Sequence, residues 1–195
     1  MTGIFTSALT GLFVWSSVAT GPLAVASTTK IVIPELPTYS VSMTGYNAVP
    51  EQTDGDPMTT ASGAYSNPEI IAARSLDLAD ELPFGTVIEI IAQNSTSTPN
   101  CGFSVVKKYM GLRVIGDSMH PRKRNQIDVM FHTEPVVRAA GRVVNPAVAL
   151  GVCKGIEIRV VGKVSIKSIP KTQKALRLAV GLLKEADEQQ LAIKK

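Results

Sequence analysis

Two aspartates, Asp117 and Asp128, stand eleven positions apart in the stretch GDSMHPRKRNQIDVMF at residues 116–131. Paired carboxylates are the residues of proton transfer, and little else in the chain offers chemistry. Serines are plentiful, but no Gly-x-Ser-x-Gly elbow occurs and no glycine-rich loop runs into Lys-Ser/Thr. His120 and His132 have no zinc-like spacing to Cys101 and Cys153, so neither a metal nor another cofactor is expected. Acid/base work by carboxylates remains. The candidates beside strand or turn signals are Asp54, Asp56, Asp77, Asp80, Asp117 and Asp128.

Asp128 is the most unusual of these. In Ile127-Asp128-Val129-Met130-Phe131, alternation puts Ile127, Val129 and Phe131 on one face and Asp128 with Met130 on the other. A carboxylate in so apolar a strand is partly desolvated, which raises its pKa and suits a general acid. The bland alternative is an acid on the solvated face of an edge strand. Asp117 follows Arg-Val-Ile-Gly and stands at a strand end. As an ordinary feature, Asp117-Ser118 starts a turn, and Arg122, Lys123 and Arg124 belong to a solvated loop. As functional groups, those cations compensate one acid or bind an anionic ligand.

The elements that would position these acids are short strands. Tyr39–Tyr46, VIEIIA at 87–92, GLRVIG at 111–116, IDVMF at 127–131 and IEIRVVGKVSI at 156–166 read as strands. Residues 47–69 form a long loop with a turn at Asp54-Gly55-Asp56-Pro57, and a loop of that length is usually functional. Ile70–Leu82 reads as a short helix or turn, as do Pro135–Arg142 and Pro146–Gly151. Several strands with long connections and few helices predict a mainly β fold, a small β-barrel. Beyond Pro170, Leu176, Val180, Leu183 and Leu191 fall at helical spacing, which predicts an amphipathic C-terminal helix packed on the barrel or a neighbour.

The charge is uneven: residues 163–195 carry eight Lys/Arg against three Asp/Glu, and the rest is near neutral with twelve against thirteen. A basic tail fits a solvated helix face, an anionic polymer or a membrane surface. Aromatics make up only 5% of the chain, which argues against a surface that stacks single-stranded bases. No charged side chain precedes Lys30. Ile4–Ala19 is apolar and is followed by Gly21-Pro22 and Ala24-Val25-Ala26, the pattern of an export signal without its basic start. It is expected to be cleaved near Ala26 or kept as a membrane anchor, with the Pro-containing linker 27–38 after it. In an oxidising compartment Cys101 and Cys153 are best spent as a disulfide. Closing roughly 50 residues, it would contribute about 4 kcal/mol in the chain-entropy account.

Thr44-Gly45-Tyr46, TTASG at 59–63, ELPFGTVIEI at 81–90, GDSMHPRKRNQIDVMF and the segment into IEIRVVG occur in an order that resembles the three-aspartate (3D) domain family. The resemblance covers roughly residues 38–162. It implies a six-stranded double-psi β-barrel over 39–168, like the catalytic domain of membrane-bound lytic transglycosylase A and the stationary-phase survival proteins related to resuscitation factors. The remaining residues, 169–195, would be the basic amphipathic helix. Carried onto this sequence, the resemblance gives Asp128 the general acid/base role and makes Asp117 the second acid. Asp77, with Asp80 competing, is the nearest match to the third. Thr44 and Tyr46 match groove positions, and Asp54, His120 and Arg124 are further candidates for contacting substrate. Relatives carry Gly-Gly after the first acid, whereas this chain has Ser118-Met119-His120-Pro121-Arg122-Lys123-Arg124, a bulkier and more basic loop.

The activity so implied is lytic cleavage of the β-1,4 bond between N-acetylmuramic acid and N-acetylglucosamine, leaving 1,6-anhydro ends, with peptidoglycan glycan strands as the partner outside the cytoplasm. A rival from another class is a wall-binding module on the same barrel without catalysis. A nucleic-acid binder built on Arg122–Arg124 and the basic tail is disfavoured by the export segment and the shortage of aromatics.

Overall fold

The computed structural model describes residues 36–182 apart from 54, 94–100 and 135, so the expected export segment and linker lie outside the described residues. The strands are β1 (Thr38–Asn47), β2 (Ile71–Arg74), β3 (Thr86–Gln93), β4 (Leu112–Ser118), β5 (Gln126–Phe131), β6 (Val137–Ala139), β7 (Arg142–Val144) and β8 (Cys153–Lys163). Six of them close into a barrel in the order β1-β5-β2-β4-β3-β8, and β6 and β7 form a separate hairpin. The barrel is mixed: β1 runs parallel to β5 and β2 parallel to β4, while the other pairs are antiparallel. The fold is mainly β, as the strand pattern predicts, with short helices α1 (Phe103–Val106), α2 (Pro146–Leu150) and α3 (Gln173–Ala179).

Side-chain alternation divides the apolar residues into two clusters. One draws on all six barrel strands, including Met43, Ala72, Ile88, Ile115, Val129 and Ile156, and therefore fills the interior. Ile127 and Phe131 belong to it, as the sequence pattern of β5 requires. The second cluster, with Tyr46, Ala73, Val114 and Met130, lies on the opposite face of the wall and is covered by Leu176 of α3. Helix α3 is docked through Gln173. Its side chain accepts from Leu112 N at 2.9 Å and donates to Leu112 O at 2.9 Å and Glu69 O at 2.8 Å. Thr172 caps the helix by accepting from Ala175 N. Leu183 and Leu191 of the expected longer helix lie outside the described residues.

The disulfide Cys101–Cys153 is present, with Cα atoms 5.2 Å apart and a sequence separation of 52. It ties the segment entering α1 to the start of β8, and such a bond belongs to an oxidising compartment.

Two expectations are corrected. Ile70–Leu82 contains strand β2 before its single 3-10 turn, Leu76–Leu78. Ile71, Ala72, Ala73 and Arg74 are all buried because β2 sits between β4 and β5 with both faces covered, a position that leaves no alternating signal. Of Pro135–Arg142, the turn is present at Ala140-Gly141, with φ of 49° and 76°, but it joins strands β6 and β7 of a hairpin and no helix forms at residues 136–142. Such a two-residue turn matches strand twist, but Ala-Gly is a weak signal for it beside Asn-Gly.

Candidate active site

The sheet register brings the two acids into one row. Asp117 on β4 is paired with Ala73 on β2, Ala73 with Asp128 on β5, and Asp128 with Thr44 on β1. At about 4.8 Å per strand, the acids stand two strands apart, about 10 Å at Cα, with Ala73 as the residue between them in the ladder. A larger residue there would fill the gap. The row also depends on a break in β4. Ile115 pairs with Ala72 but Asp117 pairs with Ala73, so Gly116 is an extra residue in the ladder. Without that bulge, alternation would turn Asp117 toward the interior with Arg113 and Ile115; with it, Asp117 shares the outer face of Ala73 and Asp128. A Cβ on Gly116 would come within 2.8 Å of Ile71 Cδ1, the end of a side chain that would have to shift to admit it.

Above the row lies a cleft of about 480 Å3, within the size range of small-ligand sites. Ala73, Asp117, Asp128 and Tyr46 border it, with Met119, His120 and Lys123 from the β4–β5 connection. Its opposite side comes from the long loop between β1 and β2, through residues such as Thr59, Ala61 and Ser66. That loop is anchored to the acid-bearing strand: Ala61 N donates to Asp117 Oδ1 at 2.9 Å and Ser62 N to Gly116 O at 3.3 Å.

The two carboxyl groups are held differently. Asp117 accepts three hydrogen bonds of 2.9 Å, from Tyr46 Oη, Ala61 N and its neighbour Ser118 N. Burial, reinforced by the Asp117 charge it faces, keeps the Tyr46 phenol protonated far above its usual range. Asp128 has less support. Thr44, which itself accepts from Gln126 Nε2 at 2.8 Å, hydrogen-bonds to Asp128. Asp128 Oδ1 is buried and has no hydrogen-bond partner. Burial pushes the Asp128 carboxyl up to about 7, with the Asp117 charge adding to the rise and Thr44 and Lys123 opposing it. A carboxyl poised near neutrality, with an oxygen unclaimed by the protein and a second carboxylate on the same wall, is equipped to give a proton to a ligand and take one back.

No protein-family model matches this sequence, and no curated protein is significantly similar to it. The functional reading therefore rests on the site.

Of the residues singled out from sequence, Asp117, Asp128, Tyr46 and His120 border the cleft, and Thr44 touches Asp128 from the neighbouring strand. Asp77 does not border it. Exposed beside β2, Asp77 accepts from Asn125 N at 2.9 Å and faces the charge of Arg124, so it pins the end of the basic loop. Arg124 shares that location, Asp80 faces Arg74 instead, and Asp56 accepts from Met58 N within its own turn. Asp54 lies outside the described residues. Sequence reasoning missed Ala73, Gly116 and Gln126. The small residue between two acids and the bulge are consequences of register, which no local pattern carries. Gln126 had a weak signal, a polar residue opening an apolar strand next to Asp128.

Proposed function

We propose that the chain is a lytic transglycosylase of the three-aspartate, double-psi barrel type, exported and acting on peptidoglycan. The observation that carries this reading is the buried, unpartnered Oδ1 of Asp128 in a cleft that also holds Asp117. Protonated Asp128 donates to the glycosidic oxygen as the bond from that oxygen to the muramoyl C1 breaks. The sugar passes through an oxocarbenium-like state, and Asp117, fixed by three donors, offers it a compensating negative charge. Asp128, now a carboxylate, takes the proton of the muramoyl 6-hydroxyl as that oxygen bonds to C1. The acid is restored and a 1,6-anhydro ring is formed without water. One carboxyl serves as acid and then as base, where hydrolytic glycosidases need a second to activate water or attack the sugar.

Asp128→Asn is expected to lower release of anhydro-muropeptides from purified sacculi by about 10²–10⁴-fold, the usual contribution of general acid/base catalysis. Mass spectrometry of the digest reads both rate and product. Sacculi that are bound but never yield a 1,6-anhydro end would make the barrel a wall-binding module instead.

A further inference from the structure

The β4–β5 connection carries four basic side chains, His120, Arg122, Lys123 and Arg124, and they are not equivalent. The Arg122 backbone N and Nε point to His120 Nδ1, at 3.2 and 3.4 Å, so those two residues engage each other. Arg124 faces the charge of Asp77, away from the cleft. Lys123 alone combines a place in the cleft lining with an electrostatic effect on Asp128, and no carboxylate lies within ion-pair distance of its ammonium among the described residues. Its place is built by the backbone. Lys123 N donates to His120 O at 2.9 Å, and Asn125, at φ 44°, is fastened through its N to Asp77 and through Nδ2 to Ser40 O.

A free cation beside the group that must keep a proton is a disadvantage unless a ligand employs it. We infer that the cleft selects an anionic glycan, with Lys123 pairing with a substrate carboxylate next to the sugar bond being cleaved. The sugar part of this inference rests on the transglycosylase reading, whereas the charge part does not. A carboxylate seated on Lys123 also cancels the field that Lys123 exerts on Asp128. The acid is then best able to hold its proton when the correct substrate is bound.

Affinity and turnover are to be measured in parallel on peptide-free glycan strands with free lactyl carboxylates, on the same strands after methyl-amidation, and on strands bearing peptide stems. Lys123→Gln should raise Kd and KM about tenfold on carboxylate-bearing probes, as for the loss of one charge-assisted hydrogen bond, and leave the amidated probe unchanged. Lys123→Arg should restore most of the loss. An effect confined to stem-bearing strands would assign the carboxylate to the peptide, and one on peptide-free strands would assign it to the sugar. An equal effect on charged and amidated probes, or none on any probe, overturns the inference. Selective, Lys123-dependent binding without a 1,6-anhydro product would uphold the inference while refuting the transglycosylase reading.

Discussion

Arg113 on β4 and Asp128 on β5 are both withdrawn from water, but their polar atoms are treated differently. Arg113 is 1% exposed and donates to four backbone carbonyls, those of Pro68, Tyr109, Met110 and Met130, with its guanidinium 5.8 Å from the centre of the Phe131 ring. It thereby ties the β1–β2 loop and the segment before β4 to the barrel wall. Asp128 has the Thr44 hydroxyl and, at Oδ1, nothing. Burial alone therefore does not mark function. A buried charge whose hydrogen-bonding capacity is used up, like Arg113, serves the fold, whereas Asp128 borders a cleft and keeps an oxygen that no protein group claims, which makes it the candidate for a ligand.

The comparison can be broken most directly at Arg113. Arg113→Ala strands several buried carbonyls and should cost about 3–5 kcal/mol, read from the urea midpoint. A loss under about 1 kcal/mol would mean that water replaces the guanidinium freely.

Asp128 should behave in the opposite sense. Its folded value of about 7 lies above the ordinary 3.8, so between about pH 4 and 7 the folded chain keeps a proton that the unfolded chain has released. Stability should fall as pH rises through that window and level off above it. At pH 8 Asp128→Asn should therefore be more stable than the natural chain by about 1–2 kcal/mol, allowing for solvent at the cleft mouth, and equal to it near pH 4. Denaturation at the two pH values checks this, and a destabilised Asn variant at pH 8 would place Asp128 with the structural charges. With Asp128 as the proton donor of the proposed reaction, turnover should also decline above about pH 7.

The smallest effect is expected at Tyr46. Tyr46→Phe keeps the ring in its cluster and leaves Asp117 two backbone donors, so turnover should drop about tenfold or less with stability nearly unchanged. A loss above a hundredfold would mean that the phenol touches the sugar rather than only positioning Asp117.

How far the site was legible follows the range of the forces involved. The faces of β5 could be read directly, because alternation is local and Ile127, Val129 and Phe131 have only one way to be buried together. The cysteine pairing was legible because two cysteines in an oxidising setting have one partner each. Strand β2 was not, since Ile-Ala-Ala-Arg has neither alternation nor β-branching enough to declare itself, and its strand character comes from its neighbours on both sides. Asp77 illustrates the same limit: its place in the chain suggested a site acid, and its hydrogen bond to Asn125 gives it a loop to hold.

The sequence by itself determined that Asp128 would stand on the less apolar face of a strand and that Asp117 would end another, because side-chain period is a property of the chain alone. Only the tertiary structure decided that they share a cleft. That outcome needs β2 inserted between β4 and β5, Ala73 in register with both acids, and a bulge at Gly116 that turns Asp117 outward. Each of these is a choice between strands far apart in sequence, set by the burial of the whole barrel and invisible in any local window.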